Sequence, residues 1–167
     1  MRIFVTGGAG FIGTHLCKKL TSLHKVTVYD NFSNSNKEYF PAMENVTLIV
    51  GDILDNSKLF DSMKNHDVVI HLAAKTDVID SVDNPDDTFQ TNVQGTQNVL
   101  DSCKSNAISK IIVTSSAAVY QNSGNSVNEK STTKPLSPYG QSKLDMEKIT
   151  IQSKINYIIL RLFNVYG

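Results

Sequence analysis

The stretch Val5-Thr6-Gly7-Gly8-Ala9-Gly10-Phe11-Ile12-Gly13 constrains the fold most, because it stands where an apolar strand must become a helix. Met1-Arg2-Ile3-Phe4-Val5 reads as a buried strand, and Phe11, Ile12, Leu16 and Leu20 recur near helical spacing. Gly8-x-Gly10-x-x-Gly13 fits the glycine spacing of a dinucleotide-binding turn. Glycines there allow a tight turn, close approach of the backbone to a pyrophosphate, and close helix–strand packing. The helix start offers free N–H groups and the positive end of a dipole to phosphates. Val26-Thr27-Val28-Tyr29 reads as the second strand, closed by Asp30 near the ~20-residue offset expected of a ribose-binding acid.

The rest of the chain repeats the same β–α alternation. Strands are expected at 2–6, 25–29, 46–50, 67–71, 109–114 and 156–162, and helices at 11–22, 55–64, 87–105 and 139–152. Continuous apolar runs such as Val68-Val69-Ile70 and Ile111-Ile112-Val113 point to parallel strands covered on both faces. The expected fold is therefore α/β: a Rossmann-type doubly wound parallel sheet, order 3-2-1-4-5-6, with helices on both faces. At 167 residues the chain has room for one such domain with a real core, spanning 1–167. Residues 31–45 and the Ser/Asn/Gly-rich stretch 121–128 read as irregular connections, the second at the rim of the site. The sequence ends just after its last strand, so the expected site lacks a loop beyond that strand end to close it.

Composition removes several function classes. Sixteen basic residues balance sixteen acidic ones, so nothing global points to nucleic acid or an anionic membrane. No apolar run is long enough to span a bilayer. Met1 leads straight into the first strand, leaving no space for a signal peptide. Cys17 and Cys103 fall in expected helices without metal-ligand spacing, and read as buried free thiols. The expectation is a cytoplasmic protein with no metal site.

Two short stretches could carry chemistry. Tyr139 and Lys143 lie four residues apart at the start of an expected helix, and so project from one face. A free tyrosine, with a pKa of ~10, is a poor base at neutral pH. A nearby ammonium favours the phenolate. A Tyr-x-x-x-Lys pair is common on surface helices and gains weight from Thr114-Ser115-Ser116. That hydroxyl run ends the fifth strand at the carboxyl edge of the sheet, where open α/β folds bind ligands. A serine there can orient a substrate oxygen while Tyr139 takes its proton.

With these pieces in order, the chain resembles the extended short-chain dehydrogenase/reductases, specifically the NAD-dependent sugar epimerase/dehydratases of UDP-glucose 4-epimerase type. The resemblance runs over Thr6 to Gly13, Asp30-Asn31, Gly51-Asp52-Ile53 and His71-Leu72-Ala73-Ala74. It continues through Asn92-Val93-Gln94-Gly95-Thr96, Ser115-Ser116-Ala117-Ala118-Val119-Tyr120, Tyr139-x-x-x-Lys143, and Arg161-Leu162-Phe163-Asn164-Val165-Tyr166-Gly167. It implies NAD as cofactor, with Gly7, Gly10, Phe11 and Ile12 on the pyrophosphate and Asp30 and Asn31 at the adenosine ribose. Asp52 and Ile53 would contact adenine. Leu72, Ala73, Ala74, Asn92 and Ser115 would line the path to the nicotinamide. Ser116, Tyr139 and Lys143 would form the catalytic set, Tyr139 and Lys143 also touching cofactor, and Ser116, Tyr139 and Asn164 would meet the sugar. A carboxylate at Asp30, with no arginine closely following, favours NAD over its 2′-phosphorylated form. Gln121, Lys75 and Asp77 depart from the usual family pattern, and the carboxyl-terminal lobe that grips the nucleotide sugar in the family is missing from these residues.

Within that family, Ala117 and Ala118 follow the catalytic hydroxyl where dehydratases and decarboxylases place acids. Alanine neither gives nor takes a proton, which favours 4-epimerisation of a UDP-glucose/UDP-galactose pair through a transient 4-keto sugar. The alternatives are a non-catalytic NAD-binding module or remnant, and an NAD-dependent dehydratase or reductase. The expected partner surface is a homodimer contact through helices 87–105 and 139–152.

Overall fold

The computed structural model describes residues 1–122, 124 and 126–166. Ser123 and Asn125 of the 121–128 connection, and Gly167 of the last motif, lie outside the described residues. Six strands form one sheet: β1 Arg2–Thr6, β2 Lys25–Asp30, β3 Val46–Val50, β4 Val68–His71, β5 Lys110–Ser116 and β6 Tyr157–Leu162. Their order is β3-β2-β1-β4-β5-β6 and every pairing is parallel. The order reverses between β1 and β4, which opens a crevice above their carboxyl ends.

Alternation along β1 separates two cores. Phe4 faces a large one with Tyr29, Leu59, Met63, Val69, Leu100, Ile111 and Met146. Helices α2 Asn56–Ser62, α5 Gly95–Ser105 and α6 Pro138–Gln152 contribute to it. Ile3 and Val5 face a smaller core with Cys17, Val26, Val28 and Ile70, under α1 Phe11–Leu20. Farther along the α1 face, Ile158 and Leu160 of β6 remain 43% and 42% exposed.

The expected helix 87–105 is not continuous. Two short helices, α3 Val78–Asp83 and α4 Pro85–Phe89, precede a five-residue π-helical turn, Gln90–Gln94, before α5 begins. Asp77 starts α3 by accepting from the N–H groups of Ile79 and Asp80, and Pro85 sits in the first turn of α4, where its missing N–H costs nothing. The π turn coincides with bonds made outside the helix. Buried Asn92 is turned inward, where its side chain bonds both main-chain groups of Lys75 and the Ser142 hydroxyl. Periodicity in the sequence carries no trace of those distant partners.

Among the described residues no helix is long and apolar enough to cross a membrane.

Candidate active site

The crevice is a cleft of about 1220 Å³ over the carboxyl ends of β1, β4 and β5. Its floor is the glycine turn. The left-handed backbone falls on Gly7, with φ +68°, and not on Gly8, so the working spacing is Gly7-x-x-Gly10-x-x-Gly13. A Cβ on Gly7 would stand 2.5 Å from the Ala73 nitrogen, and one on Gly13 would stand 2.5 Å from the Gly7 oxygen. The missing side chains thus let the β1 turn, the β4 exit and α1 close on one another. Gly10 is the residue preceding α1; no side chain caps that helix and no acid occupies its first turn. The first N–H groups of α1 therefore face the cleft with their dipole uncompensated, which suits an anion. Phe11 and Ile12 line the same floor and are half-exposed.

Asp30 ends β2 at one wall. Its carboxylate accepts from Ala9 N–H at 2.9 Å and Phe32 N–H at 2.8 Å, which fixes the charge beside the glycine turn. Asn31 donates to Asp52 at 2.9 Å, Asp52 accepts from Leu54 N–H at 2.8 Å, and the Tyr29 hydroxyl donates to the Asp52 main-chain oxygen at 3.0 Å. Asp52 therefore braces the wall in which Asn31, Asp52 and Ile53 stand.

Leu72, Ala73 and Ala74 leave β4 along the cleft, and Ser115 and Ser116 leave β5 opposite them. The Ser115 hydroxyl is buried with no protein partner, and Ser115 is among the residues lining the cleft. The Ser116 oxygen accepts from Ala118 N–H at 3.1 Å, which leaves its own proton free to donate. Ser137 caps α6 by accepting from Gly140 N–H at 3.0 Å, and Pro138 sets the first turn. Gly140 lets α6 abut the turn after Ser116, because a Cβ there would lie 2.5 Å from the Ala118 oxygen. The sequence reading missed this glycine, although its place directly after Tyr139 was a signal. The result puts Tyr139 in the cleft wall with Ser116, Ala117, Ala118 and Asn164.

Two expected site residues do not line the cleft. Lys143 is 3% exposed, stands one turn behind Tyr139 with Nζ 6.0 Å from its ring centre, and donates to the Thr114 main-chain oxygen at 3.0 Å. Burial lowers its pKa to about 8. Asn92, fully buried, holds Lys75 and Ser142 from behind instead of lining the path to the nicotinamide. The sequence reading left Lys75 and Asp77 without a role. Lys75 lines the cleft with Thr76, Val78 and Asp87, paired to Asp80 and Asp87, while Asp77 is the α3 cap.

A parallel sheet with a glycine turn at its switch point, an acid at the end of β2, and a serine and a tyrosine lining one cleft define a dinucleotide-binding α/β fold. The match of residues 3–167 to the model of the NAD dependent epimerase/dehydratase family makes the chain a member of that family. It is 36% identical over 175 residues to a UDP-glucose 4-epimerase of Azospirillum brasilense, covering 99% of this chain and 49% of that protein. Among solved structures it is similar to a UDP-N-acetylglucosamine 4-epimerase from Methanobrevibacter ruminantium in complex with UDP-N-acetylmuramic acid (TM-score 0.92, 36% identity, covering 99% of this chain and 56% of that one). It is also similar to a UDP-glucose 4-epimerase from Brucella ovis in complex with NAD (TM-score 0.91, 34% identity, 99% and 53% covered). The chain thus spans about half the length of the relatives it matches.

Proposed function

We propose that these residues form the cofactor-binding part of an NAD-dependent nucleotide-sugar 4-epimerase of the UDP-glucose/UDP-galactose type. One observation carries the reading: Ser116 and Tyr139 share a cleft wall in which the intervening residues, Ala117 and Ala118, offer no acid or base. NAD fits the floor, because the glycine cradle, the uncapped α1 start and the fixed Asp30 carboxylate match a pyrophosphate and a ribose diol. When bound, its nicotinamide supplies reversible hydride acceptance at C4 of the sugar.

Tyr139 takes the proton of the sugar 4-hydroxyl and later returns it, so it serves as base and then acid. Ser116 donates to the same oxygen and holds it in line. Lys143, anchored on the Thr114 oxygen, sets its ammonium behind the Tyr139 ring, where a positive charge favours the phenolate. Asn164, carried beyond β6, meets the sugar. Because neither alanine can move a proton at neighbouring carbons, the 4-keto sugar has no elimination route and can only take the hydride and proton back at C4. Both faces of that intermediate are open to hydride return after it rotates.

Binding energy from the remote nucleotide half of a substrate orients its reacting end. Since the chain covers about half of its relatives, we expect the 167 residues to bind NAD and to epimerise UDP-glucose far more slowly than a full-length relative. A coupled assay on this chain, and on its fusion to the second half of the Azospirillum enzyme, tests the reading. Turnover that appears in the fusion and is lost in Tyr139→Phe supports it. Net release of NADH indicates a dehydrogenase instead, and NAD binding without turnover in the fusion indicates a binding module. We also expect self-association through 87–105 and 139–152, where Ile151 is exposed on α6, and monomer-only light scattering at micromolar concentration would overturn it. Cys17 and Cys103 are free and buried, which supports a reducing, cytoplasmic setting.

A further inference from the structure

A chain of buried polar groups runs beneath the cleft, and the chemistry above does not use it. At its centre is His71, the last residue of β4, 1% exposed. Its Nδ1 lies 2.6 Å from the Thr6 hydroxyl at the end of β1, and its Nε2 lies 2.9 Å from the Thr96 hydroxyl on α5. The partners fix which atom donates. Thr96 Oγ1 is 2.5 Å from the main-chain oxygen of Asn92, which can only accept. The single Thr96 proton is committed there, so the Thr96 oxygen accepts from His71 Nε2–H. A neutral ring protonated at Nε2 has a bare Nδ1, so Thr6 donates to it. The Thr6 oxygen then keeps a lone pair for Ala73 N–H at 3.4 Å. Every bond points the same way: Ala73 to Thr6, to His71, to Thr96, to the Asn92 carbonyl.

The two ends of this chain are both functional. Ala73 and Thr6 flank Gly7, in the turn that faces the phosphates. At the other end Asn92 grips Lys75 and donates to the Ser142 hydroxyl at 2.9 Å, and that hydroxyl donates to the Tyr139 main-chain oxygen at 2.7 Å. We propose that His71 is a positioning residue, held as the neutral Nε2-protonated tautomer, that ties the phosphate-facing turn to the segment carrying Asn92 and thence to Tyr139. The other neutral tautomer would set the Nε2 lone pair against the Thr96 oxygen, and the imidazolium would leave the Thr6 proton without its acceptor. Burial, and then the ammonium of Lys143, the charged group facing the ring, oppose protonation.

The Nε2 proton follows from the geometry and the neutral ring from its burial; only the link to affinity rests on the NAD reading. Two-bond ¹H–¹⁵N correlation spectra of the 167-residue chain labelled at histidine test it directly, with His71→Gln identifying the His71 signals among those of the four histidines. The expected pattern is a protonated Nε2 and an unprotonated Nδ1, unchanged from pH 7.5 to pH 5. A protonated Nδ1, or a doubly protonated ring at pH 5, overturns the proposal. Thr96→Val, which removes the acceptor, should scramble the tautomer and weaken NAD binding roughly tenfold. His71→Gln, which keeps a donor near the Nε2 position, should bind NAD more tightly than His71→Asn, which does not. Equal loss in those two variants would mark His71 as a packing residue only and overturn the positioning role. Should the parent chain fail to bind NAD, the cofactor reading falls while the tautomer spectrum still decides the assignment.

Discussion

Asp30 shows how much one side chain can carry at this site. Both of its oxygens are already fixed by main-chain N–H groups of Ala9 and Phe32, so the carboxylate is oriented before any ligand arrives. Asp30→Ala removes the proposed ribose partner and the bond from Ala9 N–H that steadies the glycine turn. A hydrogen bond to a charged group contributes about 1.5–3 kcal/mol, so NAD affinity should fall by roughly ten- to a hundredfold. Calorimetric titration checks this, and the parent chain should bind the 2′-phosphorylated cofactor poorly; equal affinity for both would remove the argument from Asp30. His71 gives a pH prediction of definite sign. Unfolded, it takes up a proton near pH ~6.5. Folded, burial first and the Lys143 ammonium second hold its pKa down to about 3. The unfolded state binds more protons between those values, so stability falls as pH drops through that window, by about 2 kcal/mol at pH 5 from this residue. Urea midpoints at pH 7.5 and pH 5 should diverge more in the parent than in His71→Gln. Equal divergence would assign the acid sensitivity to other groups.

Among the elements, the strands were legible because burial on both faces leaves continuous apolar runs such as Val68 to Ile70, and the glycine turn because its chemistry is local. What escaped the sequence depends on contacts between distant residues. Asn92 lies 17 positions from Lys75 and 50 from Ser142, and those bonds, absent from any local pattern, accompany the π turn that interrupts the expected helix. Helix α3 escaped because it spans only six residues and its buried residue is the polar Ser81, while Val78, Ile79 and Val82 stay exposed. The joint between α6 and β6 was equally invisible. There Arg161 donates to both oxygens of buried Glu147, at 2.8 and 2.7 Å, while its guanidinium lies 4.9 Å from the Tyr120 ring. Ser116, Tyr139 and Asn164 were recognisable as residue types, but Gly140 is what brings the first two into one wall. Gly140→Ala forces a Cβ against the backbone oxygen of Ala118, which cannot swing aside. We expect a loss of about 1–3 kcal/mol in stability, typical of overpacking, together with epimerase activity in the fused enzyme lowered more than NAD affinity. Unchanged turnover would show that α6 can retreat without moving Tyr139.

At the scale of the whole molecule the sheet is unevenly clad. One face carries the larger core under α2, α5 and α6, whereas on the other face α1 protects the region of β1 and β2 and leaves Ile158 and Leu160 of β6 in contact with water. β6 also pairs on one side only, with β5. Translated into amide exchange, the fold is a graded clock. Protection should be greatest in β1 and β4, at the centre of the sheet, and least in the edge strands β3 and β6, each of which can open by breaking one ladder. Of the two, β6 ends in the segment that carries Asn164. Deuterium uptake that was as slow in β6 as in β1 would contradict this ranking. Asn164 is carried on the segment just beyond β6, so the residue assigned to the sugar hangs from one of the fastest hands of that clock, while the glycine turn hangs from the slowest. On that ranking, the glycine turn exchanges slowly and the segment carrying Asn164 fast.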